Sequence, residues 1–344
     1  MEKKRDLNIE LLRIVCMIFV VLFHVNLNVI LRNPDTSDFL NYCAIAGNAL
    51  VAVAVDCFIL ISGYFGIKWK IRSFLGLFFQ TEFYSVVILS LAILLFGYQF
   101  TIPSGLLPFN PQGLWFVPVY ALLYLISPLL NQIIESRFLH KFSIVSITSC
   151  SFIIYYVTGG GYQGYSILNF ILLYLIGRWI KKYRYNVKTP QLVTLIIVSV
   201  LFTFIANMIG VNVGMPIASK FFWAYCSPQI LLSSILLLLI FTRFSVKDNG
   251  FIRFLSAGSF SVYLVHENSL IHDYIYVKPL RWLESVVGCD IVFILCIFIY
   301  VALLYLIIAT FDVLRQKLQS VSLNMLEKNA YYKKIADEIL NTIK

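Results

Sequence analysis

The sequence predicts an all-α membrane protein: a polytopic helical bundle of about ten transmembrane helices with both termini in the cytoplasm. The first observation is composition, because 60% of the 344 residues are hydrophobic and 13% are charged, whereas a soluble domain carries roughly 25% charged residues. The second is that the apolar residues form runs close to the roughly 20 residues that a helix needs to cross a bilayer. The third is an uneven distribution of lysine and arginine between alternate loops.

Each predicted helix corresponds to one apolar segment, and the ten segments are 9–31, 44–66, 72–97, 114–134, 142–158, 166–181, 190–209, 222–242, 257–277 and 287–311. The first segment follows a basic N-terminus, as a secretory signal would. It is too long for a signal, contains charged residues and has no small-residue cleavage site after it, so we expect it to remain as a helix.

Residues 312–344 form a polar tail after the last apolar segment. Its apolar residues recur at helical spacing, which predicts an amphipathic helix on the cytoplasmic membrane surface: Leu314, Leu318, Val321, Met325 and Leu326. The sequence is therefore divided into a membrane domain, 1–311, and a cytoplasmic tail, 312–344.

The basic residues give the orientation. With the N-terminus inside, 23 of the 27 lysines and arginines fall on the cytoplasmic side, and the outer side holds only Arg32, Lys220, Lys278 and Arg281. This asymmetry follows the positive-inside rule. It also explains the net charge of +10 as attraction to an anionic inner leaflet, so no nucleic-acid partner is expected.

The seven cysteines form no CxxC pair, and we predict neither a disulfide framework nor a metal site.

The first segment carries unusual chemistry for a membrane helix. Arg13 and His24 are eleven residues apart, which places both on one stripe of a helix, about 16 Å apart along the axis. Glu10 lies one turn before Arg13 and can neutralise it. An ionisable group within a membrane helix is by default a candidate functional residue. Two alternatives stay open: Arg13 as a snorkelling residue, and His24 as a hydrogen-bonded packing residue.

Other ionisable residues fall at similar depths. Asp56 lies near the middle of the second segment, and His266 and Glu267 lie about ten residues into the ninth. A buried aspartate must be paired or neutral. By contrast, His140 falls in an inner loop and is expected to face solvent, and His272 lies near the outer boundary with no expected role.

This set of residues limits the chemistry. The sequence has no Walker loop, GxSxG elbow or HExxH motif, so nucleotide hydrolysis, serine hydrolysis and metalloprotease chemistry are unsupported. A buried histidine near carboxylates suits removal of a hydroxyl proton or relay of an acyl group. An arginine near the inner face suits recognition of a phosphate. A proton-coupled transporter could use the same groups as a relay.

Four blocks of the sequence together resemble the acyltransferase-3 family of membrane acyltransferases. They are NIELLRIVCMIFVVLFH at 8–24, VDCFILISGYF at 55–65, LWFVPVYALLYLISPLLN at 114–131 and SFSVYLVHEN at 259–268. The first block is the most specific, because Arg13 and His24 match the Arg-x10-His hallmark of the family. Glu10 stands where many relatives have aspartate, which keeps the charge. The form of the first block is most similar to members that decorate bacterial surface polysaccharides or exopolysaccharides.

The resemblance implies a membrane acyltransferase domain in 1–311 and an O-acetyltransferase of the bacterial plasma membrane. Its donor would be acetyl-CoA or another acyl-CoA, with no metal. Its acceptor would be a hydroxyl of a surface polysaccharide or of its lipid-linked precursor, with polysaccharide-synthesis proteins as possible partners. The catalytic residues would be His24, Arg13 and Glu10.

We further expect Lys70 and Arg72 to bind donor phosphates together with Arg13. The substrate path would be lined by Asp56, Tyr64, Trp115, Tyr263, His266 and Glu267. Two other functions remain alternatives. One is a transporter or flippase for a saccharide or lipid-linked sugar, and the other is a membrane sensor or scaffold in which Arg13 and His24 only specify packing.

Overall fold

A computed structural model describes residues 6–99, 114–158, 163–183, 187–214 and 221–343. Within these ranges the chain is helical and contains no β-strand. The helices are α1 (Leu7–Val25), α2 (Asp38–Val51), α3 (Ala54–Phe65), α4 (Ile71–Phe96), α5 (Phe116–Glu135), α6 (Arg137–Val157), α7 (Ile167–Lys182), α8 (Thr189–Asn212), α9 (Pro228–Phe241), α10 (Gly250–His266), α11 (Lys278–Val287), α12 (Asp290–Lys328) and α13 (Ala330–Ile343).

Seven helical stretches of the described chain are long and apolar enough to cross a membrane by length and composition: Leu7–Leu31, Asp38–Phe65, Ile71–Phe96, Phe116–Glu135, Arg137–Val157, Thr189–Asn212 and Asp290–Lys328. The all-α membrane architecture is thereby supported. The count of ten spans and the cytoplasmic position of both termini stay predictions.

Two predicted segments differ from the helices observed. The second is divided into α2 and α3 by a short break after Val51. The ninth is displaced, because α10 begins at Gly250 and ends at His266, well before position 277. The polar run Glu267–Asn268–Ser269 follows directly. Side chains of this type compete for backbone hydrogen bonds and favour the end of a helix over its continuation.

The centre of the bundle is built by α1, which packs against α3 and α10, and by α10, which also packs against α12. Helices α3 and α7 cross most closely. A Cβ atom on Gly63 would collide with the carbonyl of Tyr174, and one on Gly177 would collide with the carbonyl of Leu60. Small residues let membrane helices approach closely enough for dispersion forces to hold them. This crossing positions α3 against α1.

Two irregularities meet at the centre of the molecule. Helix α1 continues as a π-helical segment, Asn26–Leu31, directly after His24 and Val25. Helix α10 ends at His266, and its partner on α1 is His24. Local π-helical geometry is frequent at functional sites, because it changes the direction of side chains.

The expectation for His140 is wrong. It lies on α6, is fully buried, and its Nε2 is 2.8 Å from the carbonyl oxygen of Leu175. Position 140 lies in the first turn of α6, which packs against α7, and its side chain turns inward toward that helix.

Helix α12 passes position 311 without a break. Just beyond that position, the carboxylate of Asp312 is buried and pairs with the guanidinium of Arg315 at 2.7 Å. The hydroxyl of Tyr84 on α4 donates to the same carboxylate. The beginning of the predicted tail is therefore anchored to the bundle. The boundary between the two predicted domains stays a prediction.

Candidate active site

A cavity of about 600 Å³ lies along one face of α1. Glu10, Arg13 and His24 all line it, together with residues of α3, α4, α5 and α10. The stripe predicted from the spacing of Arg13 and His24 is therefore the α1 wall of one cavity. A cavity of this size is within the range of small-molecule sites.

The first end of the cavity holds a charged pair. The guanidinium of Arg13 lies 3.6 Å from Glu10 Oε2 and 6.0 Å above the ring of Phe65. The hydroxyl of Ser256 on α10 donates to the same oxygen of Glu10. About a third of the Arg13 side chain is exposed, 35% against 13% for Glu10. Glu10 therefore orients Arg13, while the guanidinium retains N–H donors for an anion that enters the cavity.

The second end of the cavity holds His24, whose Nδ1 has two neighbours. It lies 3.1 Å from Nε2 of His266 and 3.1 Å from Oε2 of Glu267. Nδ1 of His266 lies 2.7 Å from the carbonyl oxygen of Val262 on the preceding turn of α10. The two histidines are therefore hydrogen-bonded, Glu267 lies at ion-pair distance, and the three residues form one group that joins α1 to the end of α10.

The hydrogen-bond geometry assigns the tautomers. A carbonyl oxygen only accepts, so Nδ1 of His266 carries its proton and Nε2 is an acceptor. The proton of His24 then lies on Nδ1 and is donated to His266 Nε2, with the Glu267 carboxylate beside it. Nε2 of neutral His24 is consequently the basic nitrogen. A carboxylate behind Nδ1 also stabilises the imidazolium that forms when Nε2 takes up a proton.

The same three residues offer ligand atoms for a cation. One atom each from His24, His266 and Glu267 lies within 4.8 Å of the others, and these are residue types that bind zinc. The two contacts at 3.1 Å are also ordinary hydrogen-bond lengths. Because His24 Nδ1 and His266 Nε2 lie at hydrogen-bond distance from each other, we interpret the group as a proton relay.

Aromatic side chains form the wall opposite α1. Trp115 and Tyr263, both predicted to line the path, do line the cavity. Trp115 stacks on Tyr225 with a ring-centroid distance of 5.8 Å. Phe116 meets Tyr263 edge-on at 5.6 Å. Such walls combine apolar surface with hydroxyl groups that can make hydrogen bonds, which suits a ligand with both polar and apolar parts.

Asp56 and Tyr64 do not line the cavity among the described residues. Asp56 is fully buried on α3, and its two carboxylate oxygens make no hydrogen bond to the part of the chain described. The hydroxyl of Tyr64 accepts from Nζ of Lys181 at 3.2 Å, and the same ammonium lies 4.3 Å from its ring centroid. The substrate-binding roles expected for both residues stay predictions.

Lys70 and Arg72 lie at the beginning of α4, outside the wall of the cavity. Lys70 is exposed and its backbone N–H donates to the hydroxyl of Tyr124. Arg72 pairs with Glu327 and donates to Asn324, both near the end of α12. A donor phosphate that used Arg72 would therefore compete with a carboxylate of the chain itself.

Five polar residues of the cavity wall were not predicted from the sequence: Ser62, Tyr120, Tyr225, Ser256 and Ser259. Ser256 contributes a single hydroxyl to an apolar helix, which is a weak indication of a functional residue. Its importance comes from its contact with Glu10. Tyr225 is one of 21 tyrosines in the chain and belongs to no local pattern. Only the three-dimensional packing identifies it.

Comparisons with known proteins identify the family of the chain. The family model of the acyltransferase-3 family, described as an acyltransferase domain, matches residues 6–312. No curated protein matches the chain, and no solved structure matches it. The matched range includes α1, the end of α10 and every residue of the cavity wall. The chain belongs to the acyltransferase-3 family of membrane acyltransferases.

Proposed function

We propose that this protein is an O-acetyltransferase of the bacterial plasma membrane. It moves an acetyl group from cytoplasmic acetyl-CoA to a hydroxyl of a surface polysaccharide or of its lipid-linked precursor. Membership of an acyltransferase family supports group transfer. The family match does not specify the donor, the acceptor or the compartment, and these parts belong to the proposal.

The observation that carries the proposal is the position of His24. Its imidazole lies on the wall of a cavity that also contains Arg13, and its Nδ1 is held by His266 and Glu267. Nε2 then accepts the proton of the acceptor hydroxyl while that oxygen attacks the thioester carbonyl. The C–S bond breaks as the tetrahedral intermediate collapses, and the CoA thiolate takes the proton from His24. General base catalysis of this kind contributes roughly 10²–10⁴-fold to a rate.

Arg13 binds the anionic part of the donor. It lies eleven residues before His24, a distance of about 16 Å along a helix. A guanidinium recognises phosphate through paired N–H donors. The extended arm of a CoA thioester lies between its phosphates and its acyl group, so the phosphates would rest near Arg13 while the thioester reaches His24. Lys70 and Arg72, at the beginning of α4, are the further basic residues that we assign to the donor phosphates.

The direct experiment uses cells that make the natural acceptor. Surface glycans from cells with and without this gene are compared by mass spectrometry, and purified protein in liposomes is supplied with acetyl-CoA labelled in the acetyl group. We expect O-acetyl groups to disappear with the gene and the label to enter the glycan. Sugar movement across the liposome without consumption of thioester would instead identify a transporter and refute the proposal.

A second measurement separates two forms of the chemistry. Incubation of the protein with labelled acetyl-CoA and no acceptor is followed by peptide mass spectrometry. Direct transfer predicts no acetyl group on His24 under these conditions. A labelled peptide that contains His24 would indicate a covalent acyl-histidine instead, with transfer in two steps.

A further inference from the structure

A second cavity lies at the end of α1 opposite Arg13. It has a volume of about 280 Å³ and is lined by Asn28, Arg32, His272, Asp273, Val277, Lys278 and Arg281. Arg13 and Arg32 are 19 residues apart, about 28 Å along a helix. This length is close to the hydrocarbon thickness of a bilayer, about 30 Å. Arg13, on the first cavity, and Arg32, on the second, are therefore separated by about the thickness of a bilayer.

The charge of this second cavity is unusual for its position. Arg32, Lys278 and Arg281 are three of the four basic residues that the sequence places on the outer side. The positive-inside rule gives no reason to gather them there. Within the cavity wall they face one carboxylate, that of Asp273. Glu284 lies outside the wall, near enough to Arg281 to interact with it.

The contacts of the basic residues leave donors for a ligand. Arg281 donates from one terminal nitrogen to the carbonyl oxygen of Asn28 at 2.8 Å, whereas its buried Nε–H makes no hydrogen bond to the described chain. Arg32 donates to the side-chain oxygen of Asn28, and the ammonium of Lys278 lies 4.0 Å from the ring centroid of Tyr274. A buried N–H without an acceptor has a cost in free energy. An anion in the cavity would remove that cost.

Asn28 is the residue of the outer cavity wall that lies nearest to His24 in the sequence. It follows His24 by four residues, about 6 Å along the helix axis, and belongs to the π-helical segment Asn26–Leu31. Its side-chain nitrogen donates to the buried hydroxyl of Tyr276 at 2.8 Å. A ligand anchored at Asn28, Arg32 and Arg281 could therefore extend one short step along α1 to reach the imidazole of His24.

We propose that this outer cavity is a subsite for the acceptor, and that it binds a carboxylate or phosphate carried by an anionic glycan. The inference rests on the proposed function, because it assumes that the acceptor reaches His24 from the outer side. The anionic group binds to Arg32, Lys278 and Arg281, and a hydroxyl of a neighbouring sugar is placed at His24. The cavity thereby selects acidic acceptors over neutral ones.

The test uses surface glycan from cells that lack the gene, before and after carboxyl reduction and dephosphorylation to a neutral form. Binding to full-length protein in neutral detergent is measured by calorimetry. We expect the neutral form to bind at least about tenfold more weakly than the acidic form. We also expect Lys278→Gln and Arg32→Gln each to lower the affinity for the acidic glycan by about tenfold. Arg253→Gln, a charge removed from the other end of the bundle, should have no effect.

Three results would each overturn the proposed acceptor subsite. The first is equal binding of the acidic and neutral glycans, and the second is equal binding of the acidic glycan by Lys278→Gln and the wild-type protein. The third is displacement of the glycan by phosphatidylglycerol vesicles, which would make the cavity a lipid-headgroup site. Failure of the proposed function is recognised separately, because deletion of the gene would then leave the O-acetyl content of the glycan unchanged.

Discussion

Glu267 Oε2 lies 3.1 Å from Nδ1 of His24, although His24 belongs to α1 and Glu267 directly follows α10, far along the chain. The contact exists because α10 ends at His266 and the chain turns toward α1. A carboxylate at this distance holds the ring and stabilises its protonated form. His24 thereby becomes a stronger candidate for a base than a membrane histidine with no acidic neighbour.

Replacement of Glu267 by glutamine tests this contact. The amide keeps the shape of the side chain and removes the charge, so we expect kcat for acyl transfer to fall about 10- to 100-fold, as for the loss of a charge-assisted hydrogen bond. KM for acetyl-CoA should change little. The matched control is Glu135→Gln, an exposed glutamate at the end of α5. An unchanged kcat in Glu267→Gln would remove the carboxylate from the mechanism.

Metal dependence distinguishes the relay from a metal site. Because His24 and His266 are joined by a hydrogen bond, we expect EDTA to leave the transfer rate unchanged. Added Zn²⁺ should inhibit, since it can bind the three ligand atoms and occupy His24. Transfer that EDTA abolishes and Zn²⁺ restores would contradict the relay.

The pair between Arg72 and Glu327 predicts competition with the donor. If Arg72 binds a phosphate of acetyl-CoA, Glu327→Gln frees it and lowers KM for acetyl-CoA by about 2- to 5-fold, the value of an exposed ion pair. Arg72→Gln should raise KM. Steady-state kinetics of both variants, with Glu338→Gln on α13 as the control, provides the measurement. A KM that neither substitution changes would exclude Arg72 from donor binding.

The crossing of α3 and α7 predicts an effect on stability. Gly63→Ala places a Cβ against the backbone of Tyr174, and we expect a loss of about 1–3 kcal/mol, typical of overpacking. Gly250→Ala is the control, because a Cβ there has no neighbour within 4 Å. Thermal unfolding in detergent compares the two. Equal unfolding temperatures of Gly63→Ala and Gly250→Ala would contradict this prediction and show that α3 and α7 can move apart at little cost in stability.

The sequence predicted the features that depend on local geometry. A helix has one period, so the spacing of Arg13 and His24 was enough to place both on one wall of the cavity. Most helices could also be predicted, because a long apolar run is itself a local feature of the sequence. The end of α10 at His266 was not predicted, because hydropathy continues past that position and only the polar run after it interrupts the pattern.

Contacts between distant segments could not be predicted in the same way. His266 and Glu267 were candidates as separate residues, but nothing in the sequence pairs them with His24. The sequence places His140 in an inner loop that faces solvent, whereas packing of α6 on α7 buries it. Ser256 was missed because its role depends on the approach of α10 to Glu10. Each of these outcomes is set by helix packing, which one sequence does not report.

The central claim is that His24 performs the transfer, and its most direct test is the single-turnover rate of acetyl transfer in His24→Ala. The variant is compared with wild type at equal protein level and equal unfolding temperature, with acetyl-CoA and the native glycan both saturating. We predict a fall of about 10²–10⁴-fold with acetyl-CoA binding retained. A variant that transfers acetyl groups at the wild-type rate would contradict the account.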